Sequence, residues 1–151
     1  MGTVRPRMNR PALAYSATDT PSEEDLLAVD AGLEHHNCSV APSLAEVRQL
    51  AAFASAASGQ VVGGAVGRTW GKCCELLQLW VAPELRSQGV GSHLLQEFEA
   101  RARARGCSIF YLTTLSYQAP EFYRRHGYIA LAQITGYPNN IVKYLMHKAE
   151  A

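Results

Sequence analysis

A glycine-rich turn between an apolar strand and an amphipathic helix is the segment whose residue types best suit chemistry. It runs from Arg86 to Ser92 and reads Arg-Ser-Gln-Gly-Val-Gly-Ser. Glycines let backbone N–H groups approach an anion closely, and a helix that starts here adds unpaired N–H donors and the positive end of its dipole. Arg86 adds a guanidinium suited to phosphate. The turn is therefore predicted to bind a pyrophosphate.

The glycine spacing separates this turn from other phosphate-binding loops. Gly89 and Gly91 do not complete the Gly-x-Gly-x-x-Gly pattern of a dinucleotide site, and the sequence has no Gly-Lys-Ser/Thr of a nucleoside triphosphatase. One alternative stays open at this point, namely a strand-to-helix turn that needs glycine only for its shape.

The elements around the turn follow from hydrophobic periodicity and turn residues. Thr20-Pro-Ser-Glu23 is predicted to cap a helix that ends near His35. The helix after the turn carries an apolar stripe and two glutamate–arginine pairs, Glu97–Arg101 and Glu99–Arg103, which are expected on its solvent side. The predicted order is a strand at 13–17, a helix at 20–35, strands in the second half of 47–57 and at 61–70 and 73–81, a helix from 91 or 92 to 106, a strand at 108–114, a helix at 119–126, and strands at 128–134 and 141–146. This order predicts an α/β fold with a mixed sheet.

Two motifs at this spacing resemble one family. The turn is similar to the Arg/Gln-x-x-Gly-x-Gly/Ala motif of the GNAT superfamily of N-acetyltransferases, and residues 119–128, Ala-Pro-Glu-Phe-Tyr-Arg-Arg-His-Gly-Tyr, resemble its Ala-x-x-Phe-Tyr-x-x-x-Gly-Phe segment. The resemblance covers about residues 47–148. It implies one α/β domain, placed at 11–151, with a mostly antiparallel mixed sheet splayed at a bulged central strand. Residues 1–10 carry three arginines with no apolar segment behind them and are predicted to be a flexible leader.

The same resemblance implies that acetyl-CoA is the acyl donor. A bulged strand, here near residues 79–81, would hold the thioester and pantetheine arm through free backbone groups, and the turn would take the pyrophosphate. Ser116 stands where many members have an asparagine that touches the cofactor, so a weaker contact is expected there. The cofactor-binding residues expected from the resemblance are Leu79, Trp80, Val81, Arg86, Ser87, Gln88, Gly89, Val90, Gly91, Ser92, Ser116 and Phe122.

Tyr123 matches the family tyrosine that protonates the leaving thiolate of CoA, whereas the alternative is a core tyrosine whose hydroxyl is bonded elsewhere. The amine must lose a proton before it attacks, because its pKa is about 10.4. Glu75 is the candidate base, although it is equally compatible with a solvated carboxylate at the end of a strand. Gln78 and Tyr111 could instead order a water, and His35, His36 and His126 are further candidates, none favoured.

The predicted reaction is direct transfer of an acetyl group to a primary amine, without an acyl-enzyme. The alternatives are a CoA-binding module without turnover, a longer acyl donor, and a protein amine as acceptor. A small-molecule amine is favoured because the segments 26–42 and 134–140, which contact substrate in this fold, carry mixed polar residues. The resemblance is also compatible with a homodimer.

Composition excludes several other classes of protein. The chain has 151 residues, of which 48% are hydrophobic and 18% charged, and its formal net charge is +1. The small basic excess argues against a nucleic-acid partner, and no apolar run is long enough for a membrane span. Four scattered cysteines without a zinc-type spacing predict reduced thiols, no metal site and a cytoplasmic location.

Overall fold

Two units make up the part of the chain that the structure describes. The structure, a computed structural model, describes residues 12–150. One unit ends at Val40 and the other begins at Ala41. The expected leader at 1–10 lies outside the described residues.

The first unit contains one helix, α1, which spans Glu23–Val40. Its cap is Ser22 and not Thr20 as predicted, because the Ser22 hydroxyl accepts the Asp25 N–H at 3.1 Å. The helix also continues five residues past the predicted end at His35. His-Asn-Cys-Ser at 36–39 contains no proline or glycine, so nothing there breaks the hydrogen-bond pattern.

The strand predicted at 13–17 is wrong. Residues 12–18 have no regular secondary structure, and Leu13 and Tyr15 are exposed. A short apolar stretch forms a strand only if another strand is available to pair with its backbone.

The second unit contains a six-stranded sheet with two helices. Among the described residues the strand order is β1-β2-β3-β4-β6-β5, and every neighbouring pair is antiparallel except β3 and β4. The strands are β1 (Arg48–Ser55), β2 (Val61–Trp70), β3 (Cys73–Val81), β4 (Ile109–Leu115), β5 (Ile129–Ile134) and β6 (Lys143–Ala149), and the helices are α2 (Val90–Ala104) and α3 (Pro120–Arg125). Apart from the first strand, the predicted order of elements is confirmed, and so is the α/β class.

The parallel pair β3 and β4 separates half-way along its length. Their pairing ends at Leu76 and Leu112, so residues 77–81 and 113–115 have no partner across the gap. The pairing of β3 with β2 slips at the same place, because Val66 lies opposite Gln78 while Gly67 lies opposite Leu76, and Leu77 is therefore the extra residue of a β-bulge. The splayed, bulged central strand is confirmed, with its bulge just before the expected stretch at 79–81.

Gly67 makes the bulge sterically possible. A Cβ added at this position would lie 2.0 Å from the Glu75 carbonyl oxygen and 2.8 Å from the Phe98 ring. Any side chain at residue 67 would therefore push β2 away from β3 and from the helix beneath it.

Helix α2 covers one face of the sheet and buries the predicted apolar stripe of Leu94, Leu95, Phe98 and Ala102. Glu99 is also buried, so its expected place on the solvent side is wrong. Its carboxylate accepts the Tyr128 hydroxyl at 2.8 Å, the Lys148 ammonium at 2.6 Å and the Arg103 guanidinium at 2.9 Å. These three donors compensate for the loss of water around the charge.

Candidate functional site

A large cavity occupies the gap between β3 and β4. Its volume is about 1060 Å³. It runs from the residues after the bulge across the sheet towards the start of β6. Its lining residues come from every strand of the sheet except β5, from the turn before α2, from the segment between β4 and α3, and from α3 itself. They are Phe53, Val61, Gly64, Val66, Leu76, Leu77, Gln78, Leu79, Trp80, Val81, Arg86, Leu112, Thr113, Thr114, Leu115, Tyr117, Gln118, Ala119, Tyr123 and Lys143.

A second cavity of about 450 Å³ adjoins the first at the start of α2. The two cavities share Leu79, Val81, Arg86 and Ala119. The other residues that line the second cavity are Ser87, Gly89, Gly91, Ser92, Phe122 and Arg125. The two cavities adjoin at these four residues, and we call them together the cleft, with its cofactor end at α2 and its acceptor end at Lys143.

The turn at the cofactor end has the backbone shape that the glycines predict. Gly89 precedes α2 with φ of 83°, and a Cβ added there would meet no atom within 4 Å. The first helical hydrogen bond runs from the His93 N–H to the Gly89 carbonyl, so the N–H groups of the first turn have no acceptor in the helix. Arg86 is fixed beside them, because its Nε donates to the Val81 carbonyl at 3.0 Å.

This end of the cleft fits a diphosphate in shape and charge. The glycine at position 89 leaves open space in front of the helix, and the guanidinium groups of Arg86 and Arg125 both line it. Unpaired N–H groups, a helix N-terminus and two guanidinium groups are the donors that bind phosphate oxygens in proteins.

Tyr123 lines the large cavity from α3 and is buried. Its ring packs edge-on against Phe122, with 5.2 Å between centroids, and against Tyr128 at 5.8 Å. Burial raises the pKa of Tyr123 to about 12. Among the described residues no side chain or backbone group bonds its hydroxyl, whereas the neighbouring Tyr128 donates to Glu99. The Tyr123 hydroxyl is therefore available to a molecule in the cleft. The alternative given above, a core tyrosine whose hydroxyl is bonded elsewhere, describes Tyr128 instead.

The predicted cofactor residues separate into two groups. Most of them line the cleft: Leu79, Trp80, Val81, Arg86, Ser87, Gly89, Gly91, Ser92 and Phe122. Three do not line it. The Gln88 amide donates to the Glu84 carbonyl, Val90 packs against the core, and the Ser116 hydroxyl accepts the Val142 N–H at 3.1 Å.

Glu75 lies on β3 before the bulge and does not line either cavity. Its carboxylate accepts a hydrogen bond from Arg68 Nε at 2.7 Å. Burial and the neighbouring Glu75 carboxylate together raise the pKa of Tyr111. The structure thus places the Glu75 carboxylate in an ion pair on the face of the sheet.

Several residues of the cleft were not expected from the sequence. Arg125 lies one helical turn after Phe122, and this i,i+3 spacing was the available signal. Phe53, Tyr117 and Lys143 reach the acceptor end from three separate elements, and no local pattern connects them. The segment at 134–140, which was expected to contact substrate, does not line either cavity.

The family follows from comparison with known proteins. A model of the Acetyltransferase (GNAT) family matches residues 16–128. The chain belongs to the GNAT acetyltransferase family. It is therefore an acetyltransferase whose acyl donor is acetyl-CoA, and the cleft between β3 and β4 is the gap that the family resemblance predicted.

Relatives and solved structures agree with this assignment. The chain is 38% identical to a blasticidin-S acetyltransferase of Streptomyces morookaense over 99 residues, which are 65% of this chain and 73% of the relative. A structure from Agrobacterium tumefaciens has the same fold, with a TM-score of 0.80 and 24% identity over 91% of this chain and all of its own. An acetyltransferase structure from Bacillus cereus has a TM-score of 0.76 at 24% identity, over 89% of this chain and 98% of its own.

In the described part of the chain, no helix has both the length and the apolar character that crossing a bilayer requires.

Proposed function

We propose that this acetyltransferase transfers the acetyl group of acetyl-CoA directly to a primary amine of a small molecule. The observation that carries the proposal is Tyr123, a buried side chain that lines the cleft and whose hydroxyl has no bonding partner among the described residues. A catalytic acid needs its proton in place and its reacting partner within reach, and a thioester bound in the cleft beside Tyr123 would meet both conditions.

The cofactor end would hold the diphosphate of acetyl-CoA through the first-turn N–H groups, Arg86 and Arg125. The pantetheine arm would then lie in the gap along residues 79–81, whose backbone edge has no strand partner in β4. Acetyl-CoA supplies an activated thioester carbonyl. The unpaired edge of β3 would orient it by the kind of hydrogen bonds that a neighbouring strand otherwise makes.

The transfer balances with one acid and one base. The neutral amine forms an N–C bond to the carbonyl carbon, the C–S bond breaks, and the base takes the proton that the nitrogen loses. The leaving thiolate accepts a hydrogen bond, and finally a proton, from Tyr123, and solvent returns the proton from the base to the Tyr123 phenol. A thiol has a reference pKa of about 8.5, well below that of Tyr123. The proton transfer is therefore uphill, and Tyr123 acts mainly by a hydrogen bond that strengthens as charge develops on sulfur.

Glu75 is the proposed base, acting through water because its carboxylate does not line the cleft. Its carboxylate forms an ion pair with the Arg68 guanidinium, which holds it in place on the face of the sheet. Gln78 lines the cavity on the same strand and would hold such a water at the cleft end of the path.

A small-molecule acceptor is supported by the relative of Streptomyces morookaense, which is named for acetylation of blasticidin S. The acceptor end of the cleft is a partly apolar cavity within one chain, lined by side chains such as Phe53 and Tyr117. Pockets of this kind suit compact ligands.

Thiol release from acetyl-CoA tests the proposal. Blasticidin S, simple primary amines and lysine-containing peptides would each be offered to the purified protein, and the acetylated product would be identified by mass spectrometry. We expect turnover of at least one small amine, at initial rates that depend jointly on both substrates. Acetylation confined to peptides, or an acetylated protein formed as an intermediate, would contradict the proposal.

A further inference from the structure

Lys143 is the feature of the cleft that the proposed reaction does not use. It is the first residue of β6 and is half-buried. Its ammonium group forms no hydrogen bond, ion pair or cation–π contact with any described residue, although Lys148 on the same strand bonds Glu99. A lysine that lines a cavity and has no partner among the described residues is free to bind an anion that enters the cavity.

The charges around the cleft are all of one sign. Of the residues that line the large cavity, Arg86 and Lys143 alone carry a charge, and both are cations. Arg86 also lines the smaller cavity at the start of α2, where the diphosphate is proposed to bind. Lys143 does not line that cavity, so the phosphates of the donor do not account for it.

The backbone fixes Lys143 at the acceptor end. Lys143 pairs with Leu115 of β4, which lies in the part of β4 that has separated from β3. The adjoining residues are held by two bonds, from the Ser116 N–H to the Val142 carbonyl at 2.8 Å and from the Val142 N–H to the Ser116 hydroxyl at 3.1 Å. The Lys143 side chain thus lines the large cavity from the start of β6, beside the part of β4 that has separated from β3.

We propose that Lys143 binds an anionic group of the acceptor, in the simplest case a carboxylate, and so selects amines that carry one. The inference rests on the proposed function, because it assigns the acceptor class of that reaction. It makes Lys143 a specificity-determining residue. The ammonium group would orient the acceptor by its anionic end and leave the amine directed at the thioester.

The experiment compares matched amines that differ in one charge. Each ω-amino carboxylic acid of a short series is assayed beside its carboxamide by thiol release, with the wild-type protein and with Lys143→Met. We expect the wild type to prefer the acids by roughly tenfold to a hundredfold in kcat/KM, mostly through KM. Lys143→Met should remove that preference, and Lys143→Arg should retain part of it.

Lys72→Met is the control variant, since Lys72 is an exposed lysine in the turn between β2 and β3. It should leave the preference unchanged. Equal turnover of acids and amides by the wild type, or a preference that persists in Lys143→Met, would overturn the role of Lys143 and leave the proposed reaction standing. If the protein binds acetyl-CoA and acetylates no amine of either kind, both proposals fall.

Discussion

The two ends of the cleft are built from different parts of the chain. The cofactor end depends in part on the backbone, because Gly89, Gly91 and the start of α2 bring N–H groups to it beside the side chains of Arg86 and Arg125. The acceptor end consists of side chains, and those of Phe53, Tyr117 and Lys143 come from separate elements. A backbone site tolerates changes in most side chains around it, so it suits the donor that the family shares. A side-chain site changes with each substitution and suits an acceptor specific to one member.

Tyr123 stands where the two ends meet. Its side chain lines the large cavity, and the preceding Phe122 lines the cofactor end. Tyr128, five residues later, is also buried, but its hydroxyl donates a hydrogen bond to Glu99. Burial alone therefore does not distinguish Tyr123, the proposed acid, from Tyr128. What distinguishes Tyr123 is that it lines the cleft and that its hydroxyl has no partner among the described residues.

The largest effect is expected from Gly89→Asp. An aspartate would put a carboxylate into the open space before α2, at a residue whose φ of 83° already disfavours a side chain. Affinity for acetyl-CoA should fall by roughly a hundredfold or more, because the new carboxylate would repel the diphosphate that the N–H groups of α2 are proposed to bind. The measurement is the rise in melting temperature that acetyl-CoA causes, which should disappear in the variant.

Gly106→Asp is the matched control for that change. Gly106 follows the other end of α2 with φ of 90°, and a Cβ there would also meet no atom within 4 Å. The backbone strain is comparable, so this variant should lose some stability and keep its response to acetyl-CoA. A full response in Gly89→Asp would show that the diphosphate lies elsewhere.

Tyr123→Phe should have the next largest effect, on the rate and not on binding. Removal of a general acid costs roughly a hundredfold or more in kcat, while the affinity for acetyl-CoA should stay within about twofold. Tyr128→Phe is the control, because it removes a buried hydroxyl that does not face the cleft. It should lower the free energy of unfolding by about 1–3 kcal/mol and leave kcat nearly unchanged. Similar kcat values for Tyr123→Phe and the wild type would remove the acid role.

The smallest effect is expected at the acceptor end, from Tyr117→Ala. Tyr117 is 66% exposed, and of the two cavities it lines only the large one. Its loss should therefore weaken acceptor binding and have little other effect. The KM for the amine should rise about threefold to tenfold, in line with partial burial of one aromatic ring. The stabilisation by acetyl-CoA should not change. A loss of acetyl-CoA response in this variant would break the division of the cleft into two ends.

The cofactor end and most of the fold were predictable because their signals are local. The shape of the turn at 86–92 is determined by consecutive residues, and the apolar stripe of α2 repeats at the helical period. The strands β2 and β3 carry apolar runs that end close to Gly71 and Pro83, and the splayed sheet then follows from the family resemblance.

The rest depended on contacts between distant residues. Glu99 has the right spacing for a solvent-exposed pair with Arg103, and its burial follows only from Tyr128 and Lys148, which reach it from later in the chain. Likewise, no local sequence pattern predicts that Phe53 and Lys143 line the same cavity. The strand predicted at 13–17 was wrong for the related reason that a strand depends on its partner.

The most direct test of this account is a calorimetric titration of the protein with acetyl-CoA, with ATP titrated in parallel. The account predicts saturable binding of one acetyl-CoA per chain and much weaker binding of ATP, because the turn at 86–92 takes the diphosphate while the gap between β3 and β4 takes the pantetheine arm, which ATP lacks. Equal affinity for the two ligands, or no binding of acetyl-CoA by the folded protein, would contradict it.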